Sequence, residues 1–269
     1  MCLIVFAWQA HARYPLIVAA NRDEFFSRPA APAHWWPESP ALLAGRDLEA
    51  GGTWMGLTRG GRFAALTNFR DPSQRMEGAP SRGALVRSAL EDGEDAETAL
   101  QALARGAQAY AGFNLMLSDG HRLGVLESTT GAVRMLTPGV YGLSNHLLDT
   151  PWPKLVKARA GLSAAIPLLD EAAGDAQGHA EQAAITALLD LLRDPTPAPD
   201  PHLPATGMSL EWERWLSPAF IRAPGYGTRC SSVLLQARDG HLRFVEWSWD
   251  RDGALLGRVD HHFPARSTD

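Results

Sequence analysis

Consecutive apolar positions open the chain. Residues 3–8 and 16–20 are apolar without alternation, which is typical of strands that are covered on both faces. Residues 54–57 and 62–67 follow as two shorter strand-like segments around the turn pair Gly60-Gly61, and this arrangement predicts a hairpin. The first 70 residues are therefore predicted to be mainly β-structure with two buried faces.

Blocks of helical periodicity and strand periodicity then alternate along the chain. Helices are predicted at residues 81–92, 95–108, 153–165 and 180–193, and the first of them is ended by Gly93. Further strands are predicted at residues 112–118, 123–128, 133–136, 140–143, 229–237, 241–249 and 254–259, joined by Asp-Gly and Thr-Gly turns. Strand blocks that alternate with helix pairs favour an α+β fold with two stacked, mainly antiparallel sheets between helical layers.

One segment interrupts this pattern. Residues 194–206 contain five prolines, which predicts a loop that could act as a flap. No repeat divides the sequence. We therefore expect residues 1–269 to form a single domain that carries one proline-rich loop.

Composition narrows the class of protein. The chain has 269 residues, 45% of them apolar and 20% charged, with a net charge of −5, so no basic excess indicates nucleic acid or an anionic membrane as a partner. The N-terminal MCLIVFAW lacks a basic region and a cleavage site, which favours a cytoplasmic protein without membrane insertion. The chain has two cysteines, too few for a disulfide framework. A single disulfide between Cys2 and Cys230 is left as an open alternative.

Candidate chemistry begins at the N-terminus. Removal of Met1 would leave a free α-amine on the residue that also carries the Cys2 thiol. An α-amine has a pKa near 8 and can accept the thiol proton, which produces a thiolate nucleophile without a separate histidine. A retained Met1 would block this chemistry. The alternative is that Cys2 is a small apolar residue at the start of a buried strand.

Several motifs add to this position. The chain carries Asn21-Arg22-Asp23-Glu24 at the end of the second predicted strand, and Ser231-Ser232-Val233 near its end. Between them lie Gly51-Gly52-Thr53-Trp54, Thr67-Asn68-Phe69-Arg70, Gly112-Phe113-Asn114-Leu115 and Gly142-Leu143-Ser144-Asn145. Together with MCLIVFAW, this set resembles the NRDE family, also called the transport and Golgi organization protein 2 family, from the first residues to about position 235.

That family in turn is similar to the cysteine N-terminal-nucleophile hydrolases, which include penicillin V acylases, bile salt hydrolases and penicillin acyltransferases. The resemblance implies their αββα sandwich and a set of roles. Cys2 matches the nucleophile, and Asp23 of the Asn-x-Asp element matches the residue that orients the amine and thiol. Asn68 and Asn145 match the residues that polarise the scissile carbonyl, and Arg229 is the match for a late active-site arginine. The sequence departs from the pattern at Ala20, where these hydrolases usually carry an arginine.

This set is chemically consistent. A thiolate that attacks an amide or thioester creates negative charge on the carbonyl oxygen, which fixed neutral donors stabilise. We expect Cys2, Asp23, Asn68, Asn145 and Arg229 to be catalytic, and Asn21, Arg22, Trp54, Phe69 and Trp152 to bind substrate. Each also has a plain alternative: Asn145 can cap a turn, and Asp23 can pair with a surface arginine.

The predicted function is hydrolysis or acyl transfer at an amide or thioester of a small molecule, with no cofactor and no metal site. The alternative is a non-catalytic binding protein on the same scaffold, for haem or for an acyl-coenzyme A or lipid, because members of the family have been connected with those roles. For haem, the candidate contacts are Cys2, the tryptophans and a histidine such as His11 or His146. The substrate and the oligomeric state do not follow from the sequence.

Overall fold

Two antiparallel sheets form the centre of the molecule. The computed structural model describes residues 2–74, 78–173 and 178–265. The first sheet contains β1 (Cys2–Trp8), β2 (Leu16–Phe25), β10 (Gly139–Leu143), β11 (Arg222–Ala223), β12 (Tyr226–Gln236), β13 (His241–Trp249) and β14 (Leu255–Pro264). Its strand order is β10-β1-β2-β12-β13-β14, with β11 paired to β12.

The second sheet has its strands in chain order. It contains β3 (Ala30–Trp36), β4 (Ser39–Asp47), β5 (Met55–Thr58), β6 (Phe63–Asn68), β7 (Phe113–Ser118), β8 (Leu123–Glu127) and β9 (Ala132–Met135). Neighbouring strands in chain order with short turns are typical of an antiparallel meander. This sheet stacks on the first through a shared apolar layer that includes Phe6, Val18, Leu57 and Phe244.

Helices cover both outer faces. They are α1 (Gly83–Glu91), α2 (Ala96–Gly106), α3 (Pro153–Ala165), α4 (Gly178–Leu192) and α5 (Leu210–Leu216). Helices α3 and α4 pack on the first sheet, and α1 and α2 pack on the second. Short 3-10 segments lie at Pro72–Gln74, Ala107–Ala109, Ile166–Ala173 and Asp200–His202. The predicted αββα sandwich is therefore confirmed.

The apolar runs in β1 and β2 are explained by this stacking. Ile4 and Val18 face the layer between the sheets, whereas Val5 and Ile17 face α3 and α4. Because side chains alternate along a strand, the faces continue to the polar end of β2. Arg22 therefore points toward the inter-sheet side, and Asn21 and Asp23 point toward the helical side.

Several features were not predicted. Strands β3 and β4 and helix α5 carried no clear periodic signal, and β14 extends to Pro264 rather than residue 259. The proline-rich segment is irregular as predicted except for a 3-10 turn at Asp200–His202. Among the described residues, no helix combines the length and the apolar character needed to cross a bilayer. The single-domain organisation of residues 1–269 stays a prediction.

Candidate active site around Cys2

A pocket of about 410 Å³ opens at the start of β1. Five of the predicted site residues line it, namely Cys2, Arg22, Asp23, Trp54 and Asn68. Most of the remaining lining residues come from the end of β4, the loop before β5, and the segment that leads into α1, with others from the end of β2, from β6 and from the segment before β7. The pocket therefore lies where both sheets end and the first turn of α1 begins.

Cys2 is held in the wall of this pocket by strand pairing. It lies directly opposite Arg22 in the β1–β2 ladder, so both side chains share the inter-sheet face. On the other side of β1, the Ser144 hydroxyl donates to the Cys2 carbonyl over 3.2 Å. Cys2 is thus fixed by the main chain of β2 on one side and by the Ser144 side chain on the other, and the residue is 8% exposed.

Opposing effects act on the pKa of the Cys2 thiol. Burial raises the pKa of Cys2 above its ordinary value, and the Asp23 carboxylate raises it further. The Arg22 guanidinium and a hydrogen bond from the Asp23 backbone N–H lower that pKa. Because burial dominates, the thiol holds its proton near neutral pH unless a base takes it. The α-amine of Cys2 is the predicted base; Met1 lies outside the described residues, so its removal stays a prediction.

Arg22 is the charged residue beside this thiol. Its Nη2 atom lies 3.3 Å from an Asp47 carboxylate oxygen, and its guanidinium lies over the Trp54 ring with 4.2 Å to the centroid. Gly45 makes room for that ring, since a Cβ there would lie 2.4 Å from two Trp54 atoms. Arg22 is 5% exposed, and its buried Nη1 atom has no hydrogen-bond partner among the described residues.

Ala20 stands where the related hydrolases usually carry an arginine. It lies two residues before Arg22 on β2 and faces the same side of the sheet. A small cavity of about 10 Å³ lies there, lined by Cys2, Ala20 and Arg22 among others. Arg22 therefore supplies a cation on the Cys2 side of β2, where Ala20 leaves space.

Asp23 connects the pocket to a buried polar cluster on the helical side of the sheet. Its Oδ1 atom accepts from the Thr228 hydroxyl over 2.7 Å, and its carbonyl accepts from the Tyr226 hydroxyl over 2.8 Å. Burial raises the pKa of Asp23, and the positive charges of Lys154 and Arg70 oppose that rise. Lys154 is itself buried, which lowers its pKa to about 8, and its ammonium donates to the Leu216 carbonyl over 2.9 Å.

The two predicted oxyanion asparagines come together. The Asn145 side-chain amide donates to the Asn68 carbonyl over 2.9 Å, and Ser144 ties the same segment to Cys2. One hydrogen of the Asn145 amide is used in this bond, which leaves the other available as a donor. Asn145 is fully buried and does not line the open pocket, whereas half-buried Asn68 does.

Two predicted site residues are placed elsewhere. Asn21 faces the helical side, where its amide donates to the Leu192 and Ala219 carbonyls over 2.8 Å each, so its side chain binds main chain rather than the pocket. Arg229 lies at a β-bulge between Thr228 and Cys230 and donates to the Phe25 and Arg28 carbonyls. The position of Arg229 outside the pocket follows from that bulge, which turns the residue away from its strand neighbours.

The aromatic residues Phe69 and Trp152 form a separate group around His146. The centroid of the His146 ring lies 4.9 Å from that of Phe69 and 6.0 Å from that of Trp152. The His146 Nδ1 atom lies 2.9 Å from the Thr150 hydroxyl. Neither aromatic residue lines the Cys2 pocket. Phe69 and Trp152 pack against His146 outside the pocket.

The two cysteines are both free. Each pairs with Arg22, Cys2 from β1 and Cys230 from β12, so strand β2 separates them. Two ladder spacings place their Cα atoms about 10 Å apart, beyond disulfide reach. The open question of a bridge is therefore settled by the sheet order.

Arg82 and the residues that position it were missed in the sequence. Arg82 lines the pocket, and its Nη1 atom donates to the Gly112 carbonyl over 3.0 Å. The segment is brought there by a close main-chain approach, since a Cβ on Gly52 would lie 2.5 Å from the Gly83 carbonyl carbon. The Gly51-Gly52-Thr53-Trp54 motif is the only sequence signal that points to this contact, because it implies a backbone packed too tightly for side chains.

Comparisons with known proteins agree with this architecture. The chain is 35% identical to the human Transport and Golgi organization protein 2 homolog over 94% of this chain and 95% of that protein. It is 27% identical to the Drosophila melanogaster Transport and Golgi organization protein 2, with 91% of each covered. The C2A mutant of the conjugated bile acid hydrolase from Clostridium perfringens matches with a TM-score of 0.51 at 10% identity, over 98% of this chain and 92% of that one.

The bile acid hydrolase match concerns the fold alone, and it confirms the predicted N-terminal-nucleophile hydrolase-like sandwich. Family membership rests on the sequence. The model of the family described as Transport and Golgi organisation 2 matches residues 1–251, in agreement with the identity to the human homolog along nearly the whole chain. The chain therefore belongs to the Transport and Golgi organisation 2 family.

Proposed function

We propose that this protein is an N-terminal-cysteine hydrolase or acyltransferase that cleaves an amide or thioester of a small molecule. The observation that carries the proposal is the position of Cys2. A thiol at the second residue opens a central strand, lies in the wall of a pocket, and is opposed by a buried arginine. A purely structural cysteine needs neither the pocket nor the cation.

The proposed reaction has two stages. The thiol proton moves to the free α-amine of Cys2, and the sulfur attacks the carbonyl carbon of the substrate. Collapse of the tetrahedral intermediate forms a thioester on Cys2, while the amine or thiol leaving group departs with the proton. Water, or an acceptor nucleophile, then attacks that thioester and restores the thiol, with release of the acid or the transferred acyl product.

Three groups support individual steps. Arg22 favours the thiolate because it is a buried cation on the same face. Asn68 lines the pocket and is the candidate donor to the developing oxyanion, whereas buried Asn145 supports it by donating to the Asn68 carbonyl. Asp23 contributes its backbone N–H to the sulfur, and we propose that its carboxylate orients the α-ammonium.

The experiment is intact-mass analysis of the protein expressed in a bacterium, before and after exposure to p-nitrophenyl acetate. We expect loss of Met1, addition of one acetyl group at Cys2, and a burst of p-nitrophenolate. Cys230→Ala is the matched control, because Cys230 is equally buried but lies two strands away. Retention of Met1, or equal labelling of the Cys2→Ala variant, would overturn the proposal.

Binding of haem, or of an acyl-coenzyme A or lipid, without turnover stays a prediction of the sequence. The contacts of the candidate histidines lend this reading no direct support. The His11 Nδ1 atom accepts the backbone N–H groups of Arg13 and Tyr14, and its Nε2 atom lies 3.0 Å from Asp170. The His146 ring packs against the rings of Phe69 and Trp152. Haem binding is tested by titration with haemin, in which the Soret band of the native protein is compared with that of the His146→Ala variant.

A further inference from the structure

The Cys2 pocket has a cationic end that the proposed reaction does not use. Arg82 lies at the first turn of α1 and lines the same pocket as Cys2. Its side chain donates one hydrogen bond to a described residue, the Gly112 carbonyl, and no acidic side chain in the described part of the chain forms an ion pair with it. A guanidinium has five N–H donors, so most of its capacity faces the pocket unused.

The other arginines of the pocket each have a carboxylate partner. Asp47 lies 2.6 Å from Arg28 and 3.3 Å from Arg22, and Glu49 lies 3.5 Å from Arg28. Glu24 is close enough to favour the charged form of Arg82, but one of its carboxylate oxygens accepts the Phe25 N–H. Arg82 is therefore the cation of the pocket with the most unsatisfied charge.

The start of α1 places the positive end of a helix dipole beside Arg82. The residue before the helix is Arg82, whose side chain makes no capping hydrogen bond. The Gly83 and Ala84 N–H groups bond to Ser81 over 3.3 Å each, and the Leu85 N–H bonds to the Arg82 carbonyl. The dipole at a helix N-terminus favours anions. Independently, the 95% buried Arg22 presents a guanidinium nitrogen without a partner in the wall of this pocket.

We propose that the substrate carries a carboxylate, and that the Arg82 guanidinium binds it at the positive end of α1 while the scissile carbonyl lies at Cys2. This inference rests on the proposed function, because it names the class of amide or thioester that the thiol attacks. A guanidinium matches the planar geometry of a carboxylate. Apolar lining residues such as Trp54, Leu66 and Pro80 leave room for an uncharged acyl part in the same pocket.

The first test compares iodoacetate with iodoacetamide, two alkylating agents of similar size that differ by one negative charge. The ratio of their rate constants at Cys2, read by peptide mass mapping, is divided by the ratio for N-acetylcysteine. We expect a normalised ratio of about five or more for the native protein, since a close cation concentrates the anionic reagent. It should fall to about one in Arg82→Gln and persist in part in Arg82→Lys.

The matched control is Arg105→Gln, which removes the same charge from an exposed position on α2. It should leave the ratio unchanged, because an exposed charge outside the pocket is screened by salt. A native ratio no higher than that of N-acetylcysteine, or a ratio that Arg82→Gln does not alter, would overturn the carboxylate site.

The second test removes the thiol, so that it does not depend on reactivity. Calorimetry on the Cys2→Ala variant compares N-octanoylglycine with N-octanoylglycinamide, and we expect about ten-fold tighter binding of the carboxylate, lost in Cys2→Ala/Arg82→Gln. Equal affinities, or no binding of the carboxylate, would contradict the inference. A preserved preference together with an unreactive Cys2 would reject the nucleophile and keep the anion site.

Discussion

At the scale of single residues, two opposing influences determine the pKa of the Cys2 thiol. Burial favours the neutral thiol, whereas Arg22 and the Asp23 N–H favour the thiolate. Arg22 can do this because strand pairing places it directly opposite Cys2 on the same face. Trp54 and Asp47 then hold its guanidinium in position. The result is a nucleophile that ionises when a base is offered to it rather than one that is permanently charged.

Arg22→Gln should therefore shift the reactivity of Cys2 to higher pH. Loss of the cation raises the pKa of the thiol further, so the pH dependence of alkylation by uncharged iodoacetamide moves toward alkaline values. The plateau rate at high pH should change little, because the thiolate itself is the same species. Arg105→Gln is the control. An unshifted pH profile in Arg22→Gln would contradict the role of Arg22 in stabilising the thiolate.

Asn21 has a structural role in place of the predicted substrate contact. Its amide binds two carbonyls, and its Oδ1 atom accepts from the Ser231 hydroxyl over 2.6 Å. Asn21→Ala leaves these buried groups without partners and should lower the free energy of unfolding by about 3 kcal/mol or more. Urea unfolding measures this loss.

Ser231→Ala offers a comparison for Asn21. It removes one of the three Asn21 bonds and also the bond that the Ser231 hydroxyl accepts from the Trp249 indole N–H over 3.0 Å, so it should cost about 2 kcal/mol. The alkylation rate of Cys2 in the folded protein should stay at its native value in both variants. A slow Cys2 in a stably folded Asn21→Ala protein would restore Asn21 to the site.

At the scale of elements, α5 fastens the proline-rich segment to the back of the site. Glu213 of α5 forms a 2.6 Å ion pair with Arg70, and it also accepts from the Thr206 hydroxyl. Arg70 in turn donates its backbone N–H to the Asn145 carbonyl and lies over the Trp152 ring. The segment before α5 is thus coupled to the strand end that carries Asn145.

Glu213→Ala should release this segment and destabilise the protein. Removal of one partner leaves the Arg70 charge buried, which typically costs about 3–5 kcal/mol. The double variant Arg70→Met/Glu213→Leu removes both charges and should recover much of the loss. Hydrogen exchange should become faster at residues 198–209 in the single variant. Equal stability of the single and double variants would contradict a desolvated pair as the cause.

The elements differ in how far the sequence could predict them. Strands β1 and β2 were predictable because their apolar runs are covered on both faces, and α3 was predicted with its observed bounds. Strands β3 and β4 contain prolines and exposed positions, so their periodicity is weak and their pairing with each other defines them. Helix α5 is only seven residues long, so its Ser209 cap gives a weak sequence signal, and the ion pair of Glu213 with Arg70 helps to hold it.

Site residues divide in the same way. Motif order was enough to bring Cys2, Arg22, Asp23, Trp54 and Asn68 to one pocket. It could not place Asn21, whose acceptors lie 171 and 198 residues away in sequence. Nor could it detect the bulge that displaces Arg229, or the glycine contact that brings Arg82 to the pocket. These depend on contacts between distant segments, which no local pattern records.

At the scale of the whole molecule, polar contacts as well as apolar packing join the two sheets. Glu246 of β13 accepts the backbone N–H of Ala33 in β3 over 2.8 Å and the Ser232 hydroxyl over 3.2 Å. Its side chain lies in the buried layer between the sheets, with the residue 2% exposed. The shared layer predicts that both sheets unfold together, so far-ultraviolet circular dichroism and tryptophan fluorescence should report one coincident urea transition. Two separate transitions would contradict the single domain.

Glu246 should also make this stability depend on pH. Burial raises the pKa of Glu246, and hydrogen bonds from Ala33, Cys230 and Ser232 only partly offset the rise. The folded state then keeps the proton at pH values where the unfolded chain has lost it, so this residue lowers the free energy of unfolding as pH rises above the ordinary value of 4.5. Glu246→Gln keeps an acceptor for Ala33 but cannot ionise. The stability of Glu246→Gln relative to the native protein should therefore increase with pH from about 4.5 upward and level off above the raised pKa. Urea unfolding of both proteins across this range measures the difference, whose slope is independent of any constant cost of the amide. A difference that stays flat with pH, or that falls as pH rises, would mean that Glu246 is ionised between the sheets and that a positive charge balances it there.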